Sequence, residues 1–289
     1  MTAPFSAAAP FELHAGDLRL AVRPDLGGSL AGLWWRDTPV MRSADPLALS
    51  STRDAASFPL VPYSNRIAHR QFDWQGQVVT LDEASANGGL HAIHGVGVLR
   101  PWRVAALHAS AAEWSLSHAG DGLWPFAFEA SQRAELTAEA LSLQFSIVNT
   151  GDVPQPAGLG WHPYFPLRSR SHVRANLAAR WDNDDIMLPV ARVPVDGLDA
   201  DVAALALDNC FEGWDGSAQI DDEHFSLRLH SSLRHLVVYT PPGRDFFCVE
   251  PVSHRNDAFH TADPAAHGLR TLQPGERFDA SFTLHVSPR

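Results

Sequence analysis

"LSLQFSIV", residues 141–148, decides how the rest of the chain is read. Leu141, Leu143, Phe145 and Ile147 fall on one side of an extended segment, and Ser142, Gln144 and Ser146 on the other. A period of two marks a half-buried β-strand, whereas a helix would repeat near 3.6. The pattern recurs in Phe278, Ala280, Phe282, Leu284 and Val286, and again in "FSLRLH" (225–230) and "LRLAV" (18–22). Turn chemistry separates these runs: "DWQGQ" (73–77) between Phe72 and Val78–Leu81 reads as a hairpin, and "NTGDVP", "TPPGRD" and "LQPGE" are further breaks. Helical evidence is thin. "AALHASAAEW" (105–114) is alanine-rich although its apolar residues also alternate, and "PVDGLDADVAAL" (194–205) has room for one short helix or turn.

The expected architecture is therefore all-β, a large antiparallel β-sandwich with very little helix. The 289 residues show no linker, low-complexity block or repeat, so residues 1–289 are expected to form one domain. A hydrophobic fraction of 45% supplies a large core. Lys+Arg number 22 against 33 Asp+Glu, a formal net charge of -11, which argues against nucleic acid and anionic membrane surfaces as partners. No apolar run approaches the length of a spanning helix, and "MTAPFSAAAP" has neither the basic start nor the apolar run of a secretory signal, so a cytoplasmic protein is expected. The two cysteines, Cys210 and Cys248, sit in apolar or mixed segments and read as buried free thiols. Dinucleotide and phosphate-loop fingerprints, a GxSxG elbow and CxxC pairs are all missing.

Five segments carry chemistry. In "FPLVPYSNRIAHRQFDW" (58–74), Asn65 and Arg66 follow an apolar run. A partly buried arginine there either forms a structural ion pair or grips oxygens at the floor of a cleft. In "GGLHAIHGVG" (88–97), His91 and His94 lie among glycines that permit close backbone approach. They read as core or surface residues, as a substrate-facing His94, or as metal ligands, although no carboxylate or third histidine completes a metal set nearby. In "GLGWHPYFPL" (158–167), His162 is flanked by Trp161, Tyr164 and Phe165, expected to wall the imidazole. In "FFCVEPVSHRND" (246–257), Glu250 ends an apolar run and is placed at a strand end. A glutamate and a histidine in apolar surroundings suit general acid–base work. Asp208 in "ALDNCFEGW" (206–214) caps a turn or points into the same cleft. Most of the 15 histidines, His118, His224 and His285 among them, are expected on the surface.

These residues also match a family. "FPLVPYSNRI" followed by "FDWQGQVVTL", then "IHG" and Trp102, "GLGWHPYF", the aspartate of "LDNCF", and "FCVEP" followed by "NDAF" resemble, in that order across residues 60–260, the aldose 1-epimerase (mutarotase) family. The resemblance implies a mutarotase-like supersandwich with an open cleft, and interconversion of the α and β anomers of an aldose without cofactor or metal. It makes Glu250 the base and His162 the acid, with Arg66, His94 and Asp208 on sugar oxygens; Asn65, beside Arg66, is grouped with them. A proton on His162 at rest, hence a pKa near or above neutral, would suit the acid role. The partner implied is a small aldose, and the protein a monomer or homodimer. Two other readings stay open: a sugar-binding protein without catalysis on the same fold, and an epimerase for a phosphorylated hexose, which needs extra arginines, for which Arg244, Arg255 and the His69–Arg70 pair offer themselves. The sequence departs from the family's pattern at Ala68–Gln71, where a glycine is usual, at Asp82, and at Leu188–Ala191.

Overall fold

The computed structural model describes residues 9–289, so most of "MTAPFSAAAP" lies outside the described residues. Two large antiparallel sheets dominate. One has eleven strands, running in spatial order Phe11–Ala15, Leu18–Arg23, Ser29–Trp35, Ser57–Leu60, Gly160–Pro166, Phe246–Val252, His235–Tyr239, Asp208–Glu212, Ala179–Asn183 and Pro189–Pro194, with Thr38–Pro39 paired to Ser29–Trp35. The other has nine, in the order Arg103–Leu107, Ala111–His118, Phe128–Leu136, Ala140–Asn149, Arg277–Pro288, Phe225–Ser231, Ser217–Asp221, His172–Ala175 and Leu198–Asp201. Helix is limited, among the described residues, to single 3-10 turns of three or four residues.

The stretch 141–148 lies in the middle of the nine-stranded sheet. Its apolar set meets an apolar set across the ladder: Leu141 faces Leu284, Leu143 faces Phe282, Phe145 faces Ala280 and Ile147 faces Phe278. Slipping that pairing by one residue would turn every one of these side chains to water. Fully burying each is worth about 1.5–3 kcal/mol, so the register is strongly specified. Trp161, from the eleven-stranded sheet, reaches across to Phe282 with ring centroids 5.9 Å apart, so the two sheets share one core.

The alanine-rich segment 105–114 is a strand pair, Arg103–Leu107 and Ala111–His118, not a helix. Only Val202–Ala204 of the segment 194–205 makes a 3-10 turn. The hairpin at 73–77 forms as expected, Phe72 facing Val79. His118 is not on the surface. It shares the inward face with Ala112, Trp114 and Leu116, is buried, and donates from Nε2 to the Trp124 carbonyl at 2.7 Å. The alternation from Trp114 would have placed it inside.

Candidate active site

The strand Gly160–Pro166 is buried along almost its whole length, because it sits mid-sheet with both faces covered. Trp161 and Phe165 point into the main core between the sheets. His162 and Tyr164 point the other way, onto the outer face of the eleven-stranded sheet. The register Gly160↔Val252 and Tyr164↔Cys248 sets His162 opposite Glu250. Phe58 pairs with His162 on its other side, and Val237 pairs with Glu250. One row across the sheet therefore reads Phe58, His162, Glu250, Val237. The adjacent row reads Tyr164, Cys248, Tyr239, Asp208. Strand pairing alone thus brings together residues that are nearly 200 positions apart in sequence.

These two rows floor a cleft of about 420 Å³. Glu250 Oε1 lies 3.4 Å from His162 Nε2, and both side chains are almost wholly buried. Glu250 is not at a strand end: Phe246–Val252 continues two residues past it. The aromatic wall of His162 also differs from the expected one. Trp161 and Phe165 face away, and the imidazole stacks on Tyr164 at 4.6 Å and packs against Phe58 at 4.5 Å. His94 closes a third side edge-on, at 5.0 Å.

Loops supply the remaining residues. Arg66–Ile67 pairs with Ala92–Ile93, and the His94 backbone N–H donates to the Asn65 carbonyl at 2.9 Å. Asn65 and His94 both take left-handed backbone conformations, φ 55° and 65°. Gly95 follows at φ 75°, and a Cβ there would lie 2.2 Å from the Val61 carbonyl oxygen, which accounts for the glycine after His94. Arg66 is half-buried and doubly held: Nη1 donates to Asn65 Oδ1 at 3.1 Å and Nη2 to Asp208 Oδ2 at 3.3 Å. Asp208 therefore faces the cleft, although its pairing with Arg66 is also the structural ion pair that the sequence left open.

The sequence reading gave no role to the segment that holds this loop. His254 Nδ1–H donates to the Arg255 carbonyl, leaving Nε2 to accept the Ser64 N–H at 3.2 Å. Asn256 Oδ1 accepts the Arg66 N–H at 3.0 Å, and Asp257 Oδ1 the Ala68 N–H at 2.9 Å. Three of four consecutive residues thus satisfy alternate backbone donors of residues 64–68, which would otherwise be buried without partners. The run "SHRND" (253–257), one residue beyond "VEP", was the available signal. Where the family's glycine is missing, His69 and Arg70 adopt φ 51° and 61°, the conformation a glycine takes freely. His91 is scaffold: Nδ1 accepts the His69 N–H and Nε2 donates to the Ile186 carbonyl.

Arg244, expected as a further cation, lines the cleft, and so do Arg42 and Arg53, which the sequence did not single out. Arg255 does not. It is buried with its guanidinium 4.0 Å from the Trp181 ring.

Electrostatics split the central pair. Burial, and secondarily the Asp208 charge, push the Glu250 carboxyl well above the usual carboxylate range, with Arg66 opposing. Burial, then His94 and Arg42, push His162 well below its ordinary value. The expected resting proton on His162 is thus disfavoured, and the pair's single proton is held on the Glu250 side. Burial, then Arg66 and Arg53, lower His94 from 6.5 to about 3. His94 is therefore neutral in the fold while the unfolded chain binds a proton below pH 6.5, so its contribution to stability is complete above pH 6.5 and is lost as pH falls toward 3. Replacing His94 by glutamine should make the loss of stability between pH 7 and pH 5 smaller by about 2 kcal/mol, read by urea unfolding at both pH values. An unchanged pH dependence would contradict the burial of a neutral ring.

His162, Cys248 and Glu250 also place one ligand atom each within 4.8 Å of one another. They are the group among the described residues able to hold a metal ion, but burial raises both the thiol and the carboxyl, so binding would have to displace both protons.

The aldose 1-epimerase family model matches residues 11–285. The chain is 30% identical to YphB, an uncharacterised protein of Escherichia coli (strain K12), over an alignment of 302 positions spanning 96% of this chain and 98% of that one. An Escherichia coli K12 crystal structure provisionally named an aldose 1-epimerase superposes with a TM-score of 0.88 at 28% identity, covering 97% of this chain and 99% of that one. The galactose 1-epimerase of Lactobacillus acidophilus NCFM shares the fold, with a TM-score of 0.80 at 16% identity over 96% and 95% of the two chains. A family match over nearly the whole length, on a chain whose eleven-stranded sheet sets a carboxyl and an imidazole side by side in a cleft, places this protein in the aldose 1-epimerase family.

Proposed function

We propose that the protein is a mutarotase that interconverts the α and β anomers of a hexose by ring opening and reclosure, with Glu250 as base and His162 as acid. The observation that carries this reading is the 3.4 Å separation of Glu250 Oε1 and His162 Nε2 on a buried cleft floor. The anomeric hydroxyl and the ring oxygen are bonded to one carbon, so the groups that serve them must stand as close neighbours.

The resting pair carries one proton, favoured on Glu250 by burial. Moving it to His162 gives a carboxylate facing the anomeric hydroxyl and an imidazolium facing the ring oxygen. Arg66 favours that arrangement, since its charge stabilises the ionised carboxylate. Glu250 then takes the hydroxyl proton while His162 protonates the ring oxygen, and the C1–O5 bond opens to an aldehyde. Rotation about C1–C2 and reversal of both transfers give the other anomer. His94, neutral at working pH, and Arg66 supply donors to sugar oxygens as charge develops on them. Asp208 orients Arg66 and accepts from a hydroxyl, and Asn65 fixes the guanidinium from the other side.

Freshly dissolved α-glucose or α-galactose should lose optical rotation faster with the protein than without it, and 10 mM-scale chelator should leave the rate unchanged, because every step above uses side chains alone. Rotation that decays at the uncatalysed rate for every hexose tried would favour a binding protein on the same fold. Loss of activity with chelator would move the chemistry to a metal held by His162, Cys248 and Glu250.

A further inference from the structure

The rim of the cleft carries charge that the reaction above does not use. Arg42, Arg53 and Arg244 all line it, in a chain whose net charge is -11. Arginines elsewhere sit in ion pairs, such as Arg23–Asp25, Arg168–Asp222 and Arg174–Asp199. Among the described residues, none of the three rim arginines has a carboxylate within ion-pairing distance, and no group accepts a hydrogen bond from the Arg244 side chain. Two of the three acids lining the same cleft are already accounted for. Asp208 is paired with Arg66, and burial favours the protonated form of Glu250. That leaves Asp54 against three guanidinium groups.

Arg42 is built in rather than loose. Nε and Nη2 donate to the Ala55 carbonyl, at 3.2 and 2.6 Å, and Nη2 also to the Arg53 carbonyl. Its guanidinium lies 3.8 Å from the Tyr164 ring, which itself stacks on His162. Nη1 has no hydrogen-bond partner among the described residues. A fixed, half-buried cation with a spare donor thus stands within one hexose's reach of the reacting pair. A neutral hexose gains little from it. Guanidinium donors match the oxygens of a phosphate, sulfonate or carboxylate, and several cations around one anion reinforce one another.

We propose that the substrate is an aldose bearing an acidic substituent away from the anomeric carbon, and that Arg42, Arg53 and Arg244 bind that substituent. The proposal rests on the mutarotase reading and sharpens it.

The test compares kcat/KM for anomerisation of glucose, glucose 6-phosphate, glucose carrying a 6-sulfonate, and glucuronate, by polarimetry or exchange NMR. At least one acidic sugar should exceed glucose by about 10-fold or more, the scale of a charge-assisted hydrogen bond to an anion, and the winner names the acid. Arg244→Ala and Arg53→Ala should each shrink that preference toward unity, and added salt should shrink it in the wild type. Glucose turned over as well as every acidic sugar would overturn the proposal and leave the mutarotase intact. A preference untouched by the arginine variants and by salt would overturn the assignment of the anion to this rim. Anomerisation of none of the four would bring down the parent reading and the proposal together.

Discussion

Glu250→Gln is expected to lose about 100- to 10,000-fold in kcat, the usual worth of a positioned acid or base, and to gain stability at the same time. The loss follows because an amide cannot take the anomeric proton, while its size and hydrogen-bonding outline match the carboxyl. The gain follows from linkage. Burial holds the Glu250 pKa well above its ordinary 4.5 in the folded protein, so the fold keeps a proton that the unfolded chain releases. Stability is therefore lost as pH rises from 4.5 toward the raised value, and glutamine removes that loss. Thermal melts of the two proteins should separate at pH 8, with the variant higher, and converge near pH 4. A variant that retains activity within about 10-fold of wild type would remove Glu250 from the chemistry. A variant that melts lower at pH 8 would mean that Arg66 outweighs burial and keeps the carboxylate ionised.

The sandwich was legible because the nine-stranded sheet has one face on the core and one toward solvent, so its strands alternate plainly, as Leu141–Ile147 do. The central strands of the other sheet hide their parity. Gly160–Pro166 is covered on both faces, so "GWHPYFP" reads as continuous burial and does not tell that Trp161 and Phe165 serve the core while His162 and Tyr164 serve the cleft. Local pattern also missed His118, whose inward face was fixed by Trp114 and Leu116 four and two residues earlier. The identities of Glu250, His162, Arg66, His94 and Asp208 were legible mainly through resemblance. Their meeting depends on pairing between strands far apart in sequence, which no local signal encodes. Arg42 and Arg53 escaped for the same reason: each sits in an unremarkable polar stretch, and only the fold brings them to the rim with Arg244.

His162→Asn should cost a similar 100- to 10,000-fold in kcat, and its pairing with Glu250→Gln tells more than either alone. If the two groups pass one proton between them and the sugar, removing either stops the cycle, and the double variant should be scarcely slower than each single one. Independent roles would instead multiply the losses. The pH profile provides a second readout. In the wild type, activity should fall when the pair gains a second proton at low pH and when it loses its only proton at high pH, with apparent pKa values that belong to the pair. Asparagine at 162 cannot titrate, so the bell should lose one limb. Stability should respond with the opposite pH sense to that of Glu250→Gln. His162 is held neutral by burial, His94 and Arg42, so the fold excludes a proton that the unfolded chain binds below 6.5. Wild-type stability from this group falls as pH drops below 6.5, and His162→Asn should flatten that acid limb while losing the ring contacts with Phe58 and Tyr164 at every pH. A single variant thus melts below wild type at pH 7 and closes the gap by pH 5. A gap that widens on acidification would mean that His162 is charged in the folded protein, with its proton drawn to the Glu250 carboxylate from the start.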